Sequence, residues 1–260
     1  MKLTVSIVAY FKYDEVIDCV KTIKKNTSDD LDMCIYVVDN SAAEDPKAAA
    51  AFQSALAKES KSGGTKIEYI PMKKNVGFGA GHNQVLGKLD SDYHAIVNPD
   101  ILLMEDAFTP IICYMEEHTD VGMLIPRLVD EEGNLQQVYR LEPTLADLFI
   151  RTFFRVGFKK RKARITMQDQ DYTKPFQVPF GQGSFLVIRT DLYKKLEGFD
   201  EDFFLYLEDT DLCKRVNNIS KLMYFPGATV IHKWERGSHK NRKLFKEHVK
   251  SIKVYFRKWK

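Results

Sequence analysis

Strand-like and helix-like runs alternate across the first hundred residues, and that rhythm leaves few folds open. Leu3–Tyr10 (LTVSIVAY), Met33–Asp39 (MCIYVVD), Ile67–Met72 and Tyr93–Val97 carry the β-branched and aromatic side chains of strands. Between them lie helical patterns: Tyr13–Lys25 with Val16, Val20 and Ile23 on one side, the Ala-rich Pro46–Lys58, and Gly79–Leu89. The loop Ser60–Thr65, with Gly63-Gly64, separates the second helix from the third strand. Strands alternating with helices imply right-handed crossovers and a mainly parallel sheet covered on both faces. Ligands of such sheets bind outside the carboxyl ends of the strands. Polar residues stand at those ends here: Asp39, then Asn75 and Gly77, then Asn98-Pro99-Asp100.

The second half loses the rhythm. Glu105–His118 reads as a helix, and Val121–Val129 and Gln136–Arg140 as strands around the turn Glu132-Gly133-Asn134. Phe176–Ile188 is strand-like but interrupted by Pro179 and Gly181. Lys221–Phe225 and Thr229–His232 read as short strands before a final basic helix. With no internal repeat and no low-complexity linker, a single domain is the economical organisation.

Composition bounds the function. At 260 residues and 44% hydrophobic, the chain has material for one substantial core. Its 39 basic and 36 acidic side chains are near balance, which argues against an evenly basic nucleic-acid binder. The charge is unevenly placed, however. Arg151–Arg164 holds 7 Lys/Arg and no acid, and Lys240–Lys260 holds 9 against Glu247 alone. Without those segments, 23 basic and 35 acidic residues remain, a body of net −12. Both segments interleave aromatics (Phe153, Phe154 and Phe158; Phe245, Tyr255, Phe256 and Trp259), a combination suited to an anionic membrane surface. Nucleic acid, attracted by the same features, is the weaker reading. Within the last segment Leu244, Val249, Ile252 and Phe256 fall near helical spacing. That stripe either meets lipid or packs on the domain. Cys19, Cys34, Cys113 and Cys213 lie far apart without a CxxC pair, which suits a reducing compartment. The opening residues read as a strand and not as a signal peptide, and no apolar run reaches membrane-spanning length. A soluble, cytoplasmic protein is expected.

Several chemistries drop out on motif grounds. Gly77, Gly79 and Gly81 do not follow the first strand, where a dinucleotide fingerprint belongs, and GxxxxGK[ST], HExxH and GxSxG are absent. Asn98-Pro99-Asp100 is ordinary turn chemistry taken alone, but Asp100 also offers a hard oxygen ligand to Mg²⁺ or Mn²⁺. Gly198–Arg215 (GFDEDFFLYLEDTDLCKR) mixes aromatics with six carboxylates, a costly mixture unless some serve chemistry. A helix over Leu207–Asn217 places Glu208 and Asp209 in its first turn, where the macrodipole favours the ionised form, and lets Asp211 pair with Arg215. His232 ends an apolar strand just before Trp234-Glu235-Arg236-Gly237-Ser238, a context that leaves a metal or phosphate role open.

As an ordered series over about residues 3–240, these motifs resemble family-2 glycosyltransferases of the GT-A fold. The branch most similar is that of bacterial rhamnosyltransferases of cell-surface polysaccharide synthesis. Val5–Tyr10 matches the opening strand, with Phe11 where asparagine is common, and Val37-Val38-Asp39-Asn40-Ser41 the base-contacting segment. Asn75–Asn83 corresponds to the NxGfaxaxN stretch, and Asn98-Pro99-Asp100 to the metal-binding DxD in its NPD form. Phe199-Asp200-Glu201 with Glu208-Asp209-Thr210-Asp211-Leu212 and Arg215 matches the FDExF…EDxDlxxR region, and His232 with Ser238 the downstream HxxxxxS segment.

The resemblance implies a Rossmann-like, mainly parallel sheet flanked by helices, with a small mixed sheet and a C-terminal basic helix. Residues 1–100 would form the nucleotide-sugar half, 101–238 the acceptor and catalytic half, and 239–260 the basic helix. It implies inverting transfer from a nucleotide-diphosphate sugar to a glycan or polyprenyl-diphosphate-linked acceptor, without nucleic acid. By family position Asp209 is the base, and Asp100 and His232 hold a divalent metal. Ala9, Tyr10, Asp39, Asn75, Gly77, Asn83 and Asn98 bind the donor, while Asp200, Glu201, Glu208 and Gly183 shape the acceptor site. Two rivals are a non-catalytic sugar-nucleotide or glycan-binding module, disfavoured by the presence of Asp209 and Asp100, and a nucleotidyltransferase, disfavoured by the lack of a basic glycine-rich loop after the first strand.

Overall fold

The computed structural model describes residues 1–61, 65–147, 157–233 and 242–260. Gly63-Gly64, Phe153, Phe154, the Trp234–Ser238 motif and Lys240 therefore lie outside the described residues.

Strand β1 (Lys2–Ala9) is buried along all but its first residue, which is why its apolar run is continuous and not alternating. Helix α1 (Tyr13–Asn26) buries Val16, Cys19, Val20 and Ile23 along one stripe, with Asp14 and Glu15 in its first turn and Lys24 and Lys25 in its last. Strands β2 (Asp32–Asp39) and β3 (Lys66–Pro71) flank helix α2 (Pro46–Lys61). The short helix α3 (Phe78–Asn83) leads through a 3₁₀ turn (Leu86–Lys88) to β4 (Tyr93–Val97). There follow β5 (Ile101–Leu102), α4 (Phe108–Glu117), β6 (Val121–Val129), β7 (Tyr139–Arg140), α5 (Lys159–Ile165), β8 (Phe176–Gln177), β9 (Phe180–Gly181) and β10 (Phe185–Arg189). Helices α6 (Thr190–Lys195) and α7 (Glu208–Asn217), strand β11 (Lys221–His232) and helix α8 (Arg242–Lys258) complete the described elements.

One sheet runs in the order β3-β2-β1-β4-β10-β6-β11-β5, with β8 beside β11. Its first four strands are parallel, β10 is antiparallel to both β4 and β6, and β11 is parallel to β6. The mixing thus occurs in the main sheet, while the small second sheet is an antiparallel β7-β9 ladder. The chain reaches β10 from β9, in the small sheet, through Gln182-Gly183-Ser184.

Three sequence expectations change in detail. Phe176–Ile188 resolves into β8, β9 and β10, because Pro179 brings no N–H to a ladder. The two short strands near 221 and 229 are one, β11, with a register shift between Phe225 and Thr229. Gln136–Arg140 contracts to β7.

Chain order places a topological switch between β1 and β4. From β1 the chain goes to β2 and β3 on one side, then returns to β4 on the other, and the ends of β1 and β4 open a crevice there. Helix α8 does not stand apart from this body. Tyr255 is buried with Phe203 and Leu207, and Ile252, Val254, Phe256 and Trp259 pack around them. Ser251 Oγ donates to the Leu205 carbonyl at 2.7 Å. The apolar stripe thus packs on the domain, led by Tyr255 and Ser251, leaving Lys246, Lys250 and Lys253 exposed.

Candidate active site

At the carboxyl end of β1, the Ala9 carbonyl accepts the Asn40 N–H at 2.9 Å. Tyr10 is exposed, with its hydroxyl 3.3 Å from Glu44 and its ring edge-on to Phe11. Phe11 and Lys12 both adopt left-handed φ (55° and 51°) on the way into α1. Asparagine enters that region more readily than a bulky ring, so the Phe11 turn stores strain, held by a 2.8 Å bond from its N–H to Ser41 Oγ. Asp39 is fully buried. Its Oδ1 accepts the Ser41 N–H and hydroxyl at 2.9 and 2.7 Å, and its Oδ2 the Tyr13 and Tyr69 hydroxyls at 3.0 and 2.8 Å. Neither tyrosine was legible as a partner in the sequence, because both sit on other elements.

The glycine stretch shapes the wall opposite. Asn75 Oδ1 accepts the Gly77 N–H at 2.9 Å. Gly77 has φ 96°, and a Cβ there would sit 2.3 Å from the Phe204 carbonyl oxygen, so only glycine fits both demands. Asn83 holds the neighbouring loop. Its amide brackets Phe199, donating to that carbonyl at 2.8 Å and accepting its N–H at 2.9 Å, and also reaches Glu201 at 3.0 Å. Glu201 is thereby tied to this clamp. Asp200 Oδ2 lies 2.5 Å from Lys258 Nζ on α8. Asn83, Asp200 and Glu201 thus also hold the loop, whose backbone needs partners where it crosses α3 and α8.

The NPD turn and His232 converge through strand pairing. β5 follows the turn and pairs with the end of β11 in the register His232↔Ile101, and the Lys233 N–H bonds the Asp100 carbonyl at 2.9 Å. His232 Nε2 stands 3.4 Å from Asp100 Oδ2, and His232 Nδ1 lies 2.7 Å from Gln136 Oε1. The Gln136 amide nitrogen donates to the His232 carbonyl at 2.7 Å, which orients the amide and assigns the Nδ1 proton to the bond with Oε1. Nε2 is thereby the ring nitrogen that faces the carboxylate. Asp100 Oδ1 and Asn98 Oδ1 are buried without a hydrogen-bond partner. Burial opposes the charge on Asp100, but His232 and the residue's own backbone N–H outweigh it and hold the carboxyl below its ordinary range. Among the described residues no three His, Cys, Asp or Glu side chains cluster as a complete metal cage. Two donors with an orphaned oxygen fit a divalent ion that takes its remaining ligands from a diphosphate and water, with the imidazole favouring Mn²⁺ over Mg²⁺.

Asp209 lies in the first turn of α7, entered through Tyr206 and Leu207 at φ 70° and 66°. Its Oδ2 accepts the Gly183 N–H at 3.2 Å and its Oδ1 the Thr210 N–H at 2.7 Å. The adjoining Ser184 carbonyl accepts the Asn98 N–H at 2.8 Å. Gly183-Ser184 thus touches the candidate base with one residue and the NPD turn with the next. Burial raises the Asp209 pKa, with the Gly183 and Thr210 N–H groups and the Arg140 charge acting the other way. The macrodipole argument alone expected the ionised form to be favoured; desolvation outweighs it. Glu208 is buried, with Oε2 unpartnered, and desolvation plus the Asp209 charge push its pKa well up.

Asp211 is fully buried and pairs with Arg215 Nε at 2.8 Å, as its spacing implied. It also accepts the Trp259 indole N–H at 2.8 Å and lies 2.9 Å from Lys258 Nζ. Sequence reasoning missed Gln136, Arg140, Lys258 and Trp259. A lone polar side chain in a strand or a tryptophan in a basic helix carries no local signal of its partner. Arg140, Gln136, His232 and Lys233 also line an open cavity of about 570 Å³ beside the NPD turn.

Comparison with known proteins places these features among sugar transferases. The model of the family described as "Glycosyl transferase family 2" matches residues 4–197. The chain is 29% identical over 193 residues to rhamnosyltransferase WbbL of Escherichia coli K12, covering 68% of this chain and 70% of that protein. It is 26% identical over 180 residues to the N-acetylglucosaminyl-diphospho-decaprenol L-rhamnosyltransferase of Mycobacterium tuberculosis, covering 64% of this chain and 58% of that one. In fold it is similar to GalNAc-T7 solved with UDP, GalNAc and Mn²⁺, with a TM-score of 0.69 at 15% identity over 98% of this chain and 48% of the other.

Proposed function

The chain belongs to glycosyl transferase family 2 and has the GT-A fold, and from that premise we propose that it moves a sugar, rhamnose, from a nucleotide-diphosphate donor to a hydroxyl of a glycan or polyprenyl-diphosphate-linked acceptor, with inversion, in cell-surface polysaccharide synthesis. The observation that carries this reading is the Gly183-Ser184 bridge. It sets the half-buried carboxylate of Asp209 against the turn that bears Asp100, so that base and diphosphate site share one crevice. The relatives' names, a rhamnosyltransferase and a decaprenyl-diphosphate rhamnosyltransferase, support the donor sugar and the lipid-linked acceptor.

In this reading Asp209 accepts the proton of the attacking hydroxyl, and its raised pKa makes it a better base than an exposed aspartate. Attack from the side opposite the diphosphate inverts the anomeric centre in one displacement. Asp100 and His232 would hold the divalent ion, whose contribution is to neutralise charge gathering on the leaving diphosphate. Tyr10 and Ala9 would line the base pocket. A pyrimidine N–H reaches Asp39 by displacing Tyr13, whose hydroxyl has an alternative partner in Ser41 Oγ at 3.1 Å.

Donor hydrolysis measured with dTDP-rhamnose, UDP-hexoses and GDP-mannose tests the assignment. dTDP-rhamnose turnover with Mn²⁺, lost in EDTA and reduced at least about tenfold by Asp100→Ala, is the expected result. Hydrolysis of none of these donors under any metal condition would sink the transferase reading.

A peripheral site on the inner face of the cell membrane belongs to the same proposal. Among the described residues no helix is long and apolar enough to cross a bilayer. With the apolar stripe of α8 docked, its outward lysines are the remaining candidates for lipid contact. Each basic residue near an anionic surface contributes on the order of 1 kcal/mol. Wild-type protein should co-sediment with phosphatidylglycerol vesicles but not with phosphatidylcholine vesicles at low salt. Lys246→Glu, Lys250→Glu and Lys253→Glu together should abolish that binding without changing donor hydrolysis, and co-sedimentation that survives the triple change refutes this contact.

A further inference from the structure

We infer that the cavity beside the NPD turn and a lysine-lined hollow next to it form one acceptor track, the cavity taking the acceptor's sugar ring and the hollow its diphosphate. The inference rests on the proposed function and locates the acceptor.

The chemistry of the two hollows differs. The cavity carries the carboxylates of Asp130, Glu131 and Glu132, the amides of Gln136 and Gln137, and, toward His232, the cations of Arg140 and Lys233. Carboxylates accept from sugar hydroxyls while amides and guanidinium donate to them, a set that suits a neutral, hydroxyl-rich ring. A phosphate placed there would meet three carboxylates against the two cations Arg140 and Lys233, a less favourable balance than a hollow lined by cations. The neighbouring hollow, about 480 Å³, is lined by Lys159, Lys160, Lys162, Ala163 and Gln168, with no carboxylate among the described residues. Three cations around one concavity favour a group bearing two or more negative charges. Arg161, on the same helix, is instead paired with Asp147 at 2.6 Å.

The two spaces share a wall. Gln168 donates to Gln137 Oε1 at 2.5 Å and to Thr166 Oγ1 at 2.8 Å, and Gln137 and Thr166 line the cavity while Gln168 lines the hollow. The Leu141 N–H bonds the Ile165 carbonyl at 2.9 Å, which fixes the end of α5 beside Arg140. At its other limits the cavity touches the candidate metal side through His232 and the base side through Arg140, whose charge acts on Asp209. A sugar seated in it lies beside His232 and Arg140, with its phosphorylated end directed toward α5. The charge contrast makes the reverse orientation unfavourable at both ends.

The test uses the full chain in EDTA, so that no metal draws a diphosphate to the donor site, and titrates it with citronellyl diphosphate. Wild-type protein should bind, and Lys159→Gln, Lys160→Gln and Lys162→Gln together should weaken binding by about tenfold or more. Mn²⁺-dependent UDP binding and the melting temperature serve as controls for the donor site and the fold and should stay put. Failure of the wild type to bind, or an equal affinity in the triple variant, overturns the track. Loss of phosphatidylglycerol-vesicle binding with citronellyl diphosphate affinity intact does so as well, and marks the hollow as a membrane contact. Donor hydrolysis, scored separately, reports on the transferase reading, so the two can fail independently.

Discussion

Turnover of the Asp209→Asn protein should fall by at least about a hundredfold, the usual scale for losing a general base. Asparagine keeps the shape and still accepts the Gly183 N–H through its side-chain oxygen, so the bridge to the NPD turn survives while basicity does not. Donor affinity, read by UDP binding in Mn²⁺, should change little. The pH dependence adds an independent readout. Desolvation holds the Asp209 pKa above its ordinary 3.8. As pH falls through that raised value the wild-type base becomes protonated and the rate drops, whereas the asparagine variant keeps its small residual rate across the same range. A variant with wild-type turnover, or with an unchanged acidic limb, removes Asp209 from proton transfer.

The second large effect is on stability. Asp211→Ala should cost about 3 kcal/mol or more, because removing one member of a buried ion pair strands the other. The lost carboxylate serves Arg215 at 2.8 Å, Lys258 at 2.9 Å and the Trp259 indole at 2.8 Å, and is itself fully buried. Urea unfolding should show the loss, with a melting temperature lowered by about 6 °C or more. The same carboxylate joins α7 to α8, so the effects of Asp211→Ala and Trp259→Phe should be non-additive in a double-mutant cycle. Strictly additive losses would mean that the Asp211–Trp259 bond does not couple α7 to α8.

Arg215 explains why one buried acid carries so much. Its guanidinium also donates to the Leu196 and Gly198 carbonyls at 2.7 and 2.8 Å, so the Asp211–Arg215 pair ties the start of the 198–207 loop to α7. The i to i+4 spacing made that pair legible in the sequence. Trp259 and Lys258 were legible only as aromatic and basic character, which suits lipid and a protein surface equally. The packing of Tyr255 against Phe203 and Leu207 decided between them for the apolar face.

What the sequence determined by itself is the parallel half of the sheet and the edge at which chemistry occurs. Continuous apolar runs such as LTVSIVAY demand burial on both faces, intervening helices demand crossovers, and polar residues at the run ends then share one rim. The ordered motifs placed Asp100, Asp209 and His232 on the list of functional residues for the same reason: their types and surroundings are local properties. Tertiary structure alone decided how they meet. The antiparallel entry of β10 brings Gly183-Ser184 between Asp209 and Asn98, the β5–β11 register sets His232 against Asp100, and Gln136 orients that ring from a segment ninety-six positions away. Tertiary packing also joins Asn83 to Phe199 and Glu201 and Asp200 to Lys258, and it raised the Asp209 pKa against the pull of the helix dipole. Pairings between distant segments are chosen by complementary surfaces and by the need to satisfy every buried polar group, conditions that no short stretch of sequence contains.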